Sequence, residues 1–310
     1  MAPNTYNDTL QRSIALGLLA LACSACTTTP PATTEAAGRQ LERLDRGVVA
    51  IPAQGGNFVS WRALGGEDPS TAFNLYRDGK RLNDKPLAAT NFMDAGAGPN
   101  AAYSVRPVRG NAESSESGKP AAAWPQSFLS ISLRKPADGV TPDGVAYSYV
   151  VNDGSAADLD GDGRYELLVK WQPTNAKDNS QGGYTGSTYI DAYRLDGSFM
   201  WRIDLGRNIR AGAHYTTYLA YDFDGDGRAE VMMKTADGSV DGQGKIIGDA
   251  KADYRNERGV ILAGPEFLTV FDGRSGAALA STDYLPARGG DGAAWGDSRG
   301  NRVDRFLGGV

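Results

Sequence analysis

Cysteine is nearly absent from this chain. There are two in 310 residues, Cys23 and Cys26, both close to the start. A disulfide framework for the main body is thereby excluded. A basic stripe is missing too. The formal net charge is −5, and without clustered lysine and arginine nothing neutralises a phosphate backbone, which argues against nucleic-acid binding. Long apolar runs are also lacking. Ile14–Ala22 is far too short to cross a bilayer as a helix. Histidine is reduced to one residue, His214. What is abundant is glycine, with 40 residues placed at turns and none in a low-complexity tract. That pattern predicts an all-β protein of many short strands.

The N-terminus reads as an export signal over residues 1–26, with the apolar run Ile14–Ala22 ending in Ala22-Cys23-Ser24-Ala25-Cys26. A lipoprotein-type site fits, with Cys26 or Cys23 becoming the acylated first residue; plain secretion is the alternative. Residues 27–40, rich in Thr, Pro and Ala, then form a flexible tether. The expected location is the cell envelope, or the periplasm or medium if no lipid is attached. The chain is expected to be a monomer that meets a membrane only through that anchor.

Ordered sequence begins near Leu41. Strands separated by turns are expected to about Leu133, including one over residues 58–64 around Trp61 and a hairpin with Asp78-Gly79 at its tip. This suggests a fibronectin-like β-sandwich over 41–140. Lys135–Gly144 marks the boundary to a second region, 141–310.

That second region repeats. Asp158-Leu159-Asp160-Gly161-Asp162-Gly163-Arg164-Tyr165-Glu166 returns 64 residues later as Asp222-Phe223-Asp224-Gly225-Asp226-Gly227-Arg228-Ala229-Glu230. Each copy runs into an apolar strand, Leu167–Trp171 and Val231–Met233. Each unit then closes in a hairpin, over Tyr189–Leu205 with turn Asp196-Gly197 and over Phe267–Tyr284 with turn Asp272-Gly273. The turns are 76 residues apart, so the second unit holds about 12 extra residues within Asp237–Gly264. Units of strand and turn at this length suggest β-propeller blades. Two blades do not close a ring, so the chain is expected to be the N-terminal portion of a longer protein.

Carboxylates at positions 1, 3, 5 and 9 of a loop repel one another unless a cation sits among them. Hard oxygen ligands at this spacing suit Ca²⁺. The expected ligands are Asp158, Asp160, Asp162 and Glu166, with the main-chain carbonyl of Arg164. In the second loop they are Asp222, Asp224, Asp226 and Glu230, with the carbonyl of Arg228. An EF-hand is excluded, because its position 12 carries a bidentate glutamate and here that position holds Val169 and Met233. The metal is expected to be structural, pinning the entry of each strand.

A series of strings then appears in order: Asn152-Asp153, Lys177–Gln181, Trp201–Gly206, Asn208–Tyr215, Lys234–Gly238, Asp253–Arg255, Pro286–Arg288 and Asn301–Phe306, after Leu41–Gly47 and Val59–Arg62. Together they resemble the bacterial rhamnogalacturonan lyases of polysaccharide lyase family 11. The resemblance implies a fibronectin-like domain ahead of a calcium-stabilised, eight-bladed propeller, in proteins much longer than this chain. It implies eliminative cleavage of the rhamnose–galacturonate linkage of rhamnogalacturonan I, a pectic polysaccharide. The C5 proton of galacturonate leaves as the bond to O4 breaks. That proton is acidic only when the C6 carboxylate is neutralised, by Ca²⁺ or arginine, and a base must reach C5. The catalytic groups are expected beyond Val310. Asn152 matches an asparagine that contacts the sugar, and Gln172 stands where relatives can carry aspartate. Arg210 and His214 complete the candidate substrate contacts, although a lone histidine reads first as a packed structural residue. Lys170 and Lys234 are weaker candidates for facing an anionic polymer. Trp171, Tyr184 and Tyr215 are candidates for stacking on sugars, with core packing the stronger reading of Trp171. The alternative function is a calcium-stabilised, non-catalytic module that binds polysaccharide or protein. On either reading the chain alone is expected to be inactive.

Overall fold

Alternating apolar and polar residues, broken every few positions by glycine turns, give the chain its strands. The computed structural model describes residues 43–115, 118–288, 296–305 and 307–309. The expected signal (1–26) and tether (27–40) lie outside the described residues. Among the described residues there is no α-helix, only a short 3-10 turn at Val303–Arg305.

The first eight strands are β1 (Val49–Ala53), β2 (Gly56–Ser60), β3 (Ala72–Arg77), β4 (Lys80–Arg81), β5 (Asn91–Ala95), β6 (Ala102–Arg109), β7 (Ala112–Glu113) and β8 (Ala121–Ala122). They form two antiparallel sheets, β1-β2-β5 and β4-β3-β6-β7, with β8 on the edge of β6. Period-two alternation buries Val59, Phe73, Leu75, Tyr103 and Val105 in one core and leaves Phe58 and Met93, paired across β2 and β5, outside. Asp78 (φ 50°) and Gly79 (φ 79°) make the predicted two-residue turn, with both residues left-handed as a type I′ hairpin requires. The strand expected over 58–64 stops at Ser60, where the Trp61 N–H turns to the Thr90 carbonyl.

Twelve strands follow: β9 (Gly139–Val140), β10 (Ala146–Tyr147), β11 (Tyr149–Ala157), β12 (Glu166–Pro173), β13 (Tyr189–Tyr193), β14 (Phe199–Asp204), β15 (Tyr218–Tyr221), β16 (Glu230–Ala236), β17 (Ser239–Val240), β18 (Ile246–Ile247), β19 (Glu266–Phe271) and β20 (Ala278–Asp283). The sequence repeat becomes two antiparallel meanders, β11-β12-β13-β14 and β15-β16-β19-β20. Between them lies the main core. Leu168, Ile190, Trp201 and Ile203 come from the first meander, and Val231, Met233 and Phe271 from the second. Each fully buried side chain of this kind contributes about 1.5–3 kcal/mol. The far face of the first meander packs Tyr149, Val169, Trp171 and Tyr193. The extra residues of the second unit fall where expected, between β16 and β19. Their hairpin, β17-β18, crosses back to pair with β14 of the first meander through Asp204 and Val240, making that sheet six-stranded.

Candidate metal centres and the opposite edge

Both acidic loops sit at the same end of their meanders, between β11 and β12 and between β15 and β16. In the first, Asp158 is fully buried and accepts the N–H groups of Gly161 (2.8 Å), Asp162 (3.1 Å) and Gly163 (2.9 Å). Glu166 reaches back to accept the Leu159 N–H (2.9 Å). The second loop repeats this geometry. Asp222 accepts from Gly225 (2.7 Å) and Gly227 (3.0 Å), and Glu230 from Phe223 (2.9 Å). The loop therefore closes on its own first carboxylate. Gly163 (φ 87°) has the left-handed backbone this needs, and a Cβ there would be tight, 3.1 Å from the Arg43 carbonyl oxygen.

In each loop three carboxylates converge: Asp158, Asp160 and Glu166, then Asp222, Asp224 and Glu230. One oxygen from each lies within 4.8 Å of the others in its group. Burial, joined by the charges of Asp160, Asp158 and Asp162, pushes the Glu166 carboxyl up to about 7. Burial likewise raises Asp158 and Glu230. The Asp160 Oδ1 is buried without a hydrogen-bond partner. Crowded, desolvated carboxylates with an orphaned oxygen are a donor set that fits a hard cation. Asp162 and Asp226, expected as ligands, stand apart from the convergent oxygens. Asp162 pairs with Arg164 (3.1 Å) and Asp226 with Arg228 in the same loop.

The other candidates lie at the opposite end of the sheets. Asn152 is the extra residue of a β-bulge, where the register of β11 shifts between Val151 and Asp153, and it is exposed. Bulges re-aim side chains in this way. Gln172, on the neighbouring strand opposite Val150, has a buried Oε1 with no partner. The structure thus brings Asn152 and Gln172 onto one edge.

Arg210 requires a correction. It is 3% exposed, and its guanidinium donates to the main-chain carbonyls of Lys177, Asp178, Gln181, Gly183 and Gly259. With its donors turned inward to the loops, it organises the backbone and does not face a polymer. His214 departs from its structural reading in the other sense: it is exposed. Lys170 is buried and donates to the Tyr215 carbonyl, and burial lowers its pKa. Lys234 is buried between Glu266 (3.0 Å) and Asp304. Trp171 packs in the core and donates to Asp191 (2.8 Å). Tyr215 is buried, accepting from the Asn179 N–H and donating to Asn301. Tyr184 lies beneath the Arg255 guanidinium.

Sequence reasoning passed over Asp191. Fully buried, it accepts from Trp171, Tyr193 and Arg202, the last through two bonds of 2.7 Å. It also passed over the Glu266–Arg288 pair beside Lys234. No local pattern announces either, because the partners are far apart in sequence.

The order of the two halves matches two family descriptions. Residues 39–124 match the "Rhamnogalacturonan I lyases beta-sheet domain", and residues 128–310 match "Rhamnogalacturonan lyase family 11, C-terminal domain". Together the two matches take in most of the chain and define its class, that of the rhamnogalacturonan lyases. The chain belongs to rhamnogalacturonan lyase family 11. It is 55% identical over 295 residues to the rhamnogalacturonan endolyase YesW of Bacillus subtilis, covering 95% of this chain and 47% of that protein. It is also 55% identical over 273 residues to the rhamnogalacturonan exolyase YesX of the same organism, covering 88% and 44%. Among solved structures, exotype YesX superposes with a TM-score of 0.81 over 87% of this chain and 44% of that one. The Bacillus licheniformis rhamnogalacturonan lyase superposes with a TM-score of 0.81 at 58% identity, over 87% and 46%. The chain therefore spans about half the length of these relatives.

Proposed function

We propose that this chain is part of a lyase that cleaves the rhamnose–galacturonate linkage of rhamnogalacturonan I by β-elimination. The observation that carries this reading is the 55% identity to two named rhamnogalacturonan lyases, extending through both regions of the chain. In this reaction a base removes the C5 proton, the electron pair forms the C4–C5 double bond, and O4 leaves. Asn152 and Gln172 form the part of the saccharide edge that this chain supplies, with exposed His214 on the segment leading into β15. The cationic candidates are otherwise engaged: Arg210 by carbonyls, Lys170 by Tyr215 and Lys234 by carboxylates. On this reading the 310 residues bind but do not turn over substrate.

The two loops hold Ca²⁺ through Asp158, Asp160 and Glu166 and through Asp222, Asp224 and Glu230, with the main-chain carbonyls of Arg164 and Arg228; Asp162 and Asp226 join the shells only by turning from their arginine partners. When bound, the ion neutralises carboxylates that otherwise repel. The two meanders are blades of a propeller behind a fibronectin-like domain (41–140). The protein is exported, anchored or released according to Cys23 and Cys26, acts as a monomer on pectic polysaccharide and has no nucleic-acid partner.

The test uses the chain alone and a chimera completed with the remaining half of the Bacillus subtilis endolyase. With rhamnogalacturonan I, the chimera is expected to generate ultraviolet-absorbing unsaturated uronate. The chain alone is expected to bind rhamnogalacturonan oligosaccharide by calorimetry without forming product. A chain that binds no such oligosaccharide, with a folded chimera that forms no unsaturated product, would sink the reading.

A further inference from the structure

The first acidic loop makes contacts well beyond its own carboxylates. On one side it carries the N-terminal sheets. The Asp45 N–H donates to the Gly163 carbonyl at 2.7 Å. Gly163 is closely covered, because a Cβ there would stand 3.1 Å from the Arg43 carbonyl oxygen and 3.2 Å from the Asp45 nitrogen. Two residues along the loop, the Tyr165 ring lies under the Arg62 guanidinium, 4.3 Å from the ring centroid. Arg62 follows β2 and is tied back to the same segment. Its N–H donates to the Arg46 carbonyl (2.8 Å), and its guanidinium reaches Asp45 (3.5 Å). Asp45 also accepts the Gly47 N–H at 2.6 Å. Arg43–Arg46, Arg62 and loop residues Gly163 and Tyr165 therefore form one continuous joint.

On its other side the same loop meets the second one. The Ala229 N–H, next to Glu230, donates to the carbonyl of Asp158 at 2.8 Å. The Arg228 side chain covers Gly161, so that a Cβ there would meet its Cγ at 2.7 Å. Asp158 thus faces three ways. Its carboxylate closes the first loop, its oxygens belong to the first carboxylate group, and its carbonyl holds the second loop in place.

We propose that loading a divalent cation into the first loop and seating the N-terminal sheets against it are one coupled event. The proposal rests on the calcium assignment made above, and goes beyond it by giving the loop a second task as the joint between the two regions. The physical reason is reciprocity. Any contact made only by the ordered loop must tighten when the ion orders the loop, and must in turn tighten the ion. Gly163 and Tyr165 lie between the ligands Asp160 and Glu166, so the contacts to Asp45 and Arg62 are available only when that span is fixed.

The test measures both directions on the full 310-residue chain, with calcium as the probe. Hydrogen exchange around Asp45 is expected to slow about ten-fold on adding calcium. Arg62→Ala alters no carboxylate of either loop, yet should weaken calorimetric calcium affinity about five-fold at one site and leave the other unchanged. Asp158→Asn should abolish binding at the first site and leave Asp45 exchange fast in calcium, an arm that stands even if Arg62→Ala proves unstable. Calcium binding with unchanged exchange at Asp45, or with equal affinity in Arg62→Ala, overturns the coupling while leaving the metal sites intact. No calcium binding by the parent chain overturns the metal assignment, and the coupling with it.

Discussion

Glu67 shows how much a single side chain contributes when its partner is fixed. Arg46 grips it through two bonds of 2.6 and 2.5 Å, and both groups are more than nine-tenths buried. The Arg46 hydrogen bonds hold the Glu67 carboxyl at about 2, below its ordinary 4.5, against the opposing effect of burial. Its folded value is depressed, so the pair contributes fully above pH 4.5 and is lost as pH falls through about 2. Glu67→Gln should therefore cost about 3 kcal/mol at neutral pH and flatten the loss of stability across that acidic window, as read by denaturant melts at several pH values. An unchanged acid profile would show that the pair does not govern it. The residues most legible in the sequence are the convergent carboxylates, because each group of three lies within nine positions; the Arg194 partner of Asp160, 34 positions away, is not legible there. The surroundings of Arg210 are illegible in the sequence for the opposite reason. Its charge suggested an anionic partner, but its burial and its carbonyl partners depend on loops brought together only by the fold. Asp191→Ala should cost about 3 kcal/mol or more in the same assay, since it leaves Arg202 without its buried counter-charge.

Among the elements, the hairpins and the two meanders follow directly from turn dipeptides and period-two alternation. The path of the extra residues does not. Nothing local says that β17-β18 pairs with β14 instead of extending its own meander; Asp204 opposite Val240 and the Ser239 hydroxyl donating to the Leu205 carbonyl at 2.9 Å decide it. The turn after β19 is a second case. Gly273 lies against the second acidic loop, where a Cβ would sit 1.9 Å from the Ala229 oxygen, and its carbonyl accepts the Trp201 Nε1–H at 2.7 Å. Gly273→Ala has no room and should destabilise by about 2–3 kcal/mol. Thermal melting checks it, and a neutral result would mean that the turn and loop are not in contact.

At the scale of the molecule, one end of the structure is a chain of contacts from Asp45 through Gly163, Asp158 and Ala229 to Gly273. The opposite end carries the exposed bulge at Asn152 and the unpartnered Gln172 oxygen. On the proposed function, the acidic loops and the saccharide edge lie at opposite ends, and a bound metal would hold the sheets that present that edge. The most direct measurement is the melting temperature of the 310-residue chain in EDTA and then in calcium. A ligand held only by the folded state must raise stability, by about 2.7 kcal/mol at a hundred-fold excess over its Kd. The account predicts a clear rise in melting temperature with calcium, reduced in Asp158→Asn and in Asp222→Asn and absent when both are changed. An identical melting temperature in EDTA and in saturating calcium would contradict it.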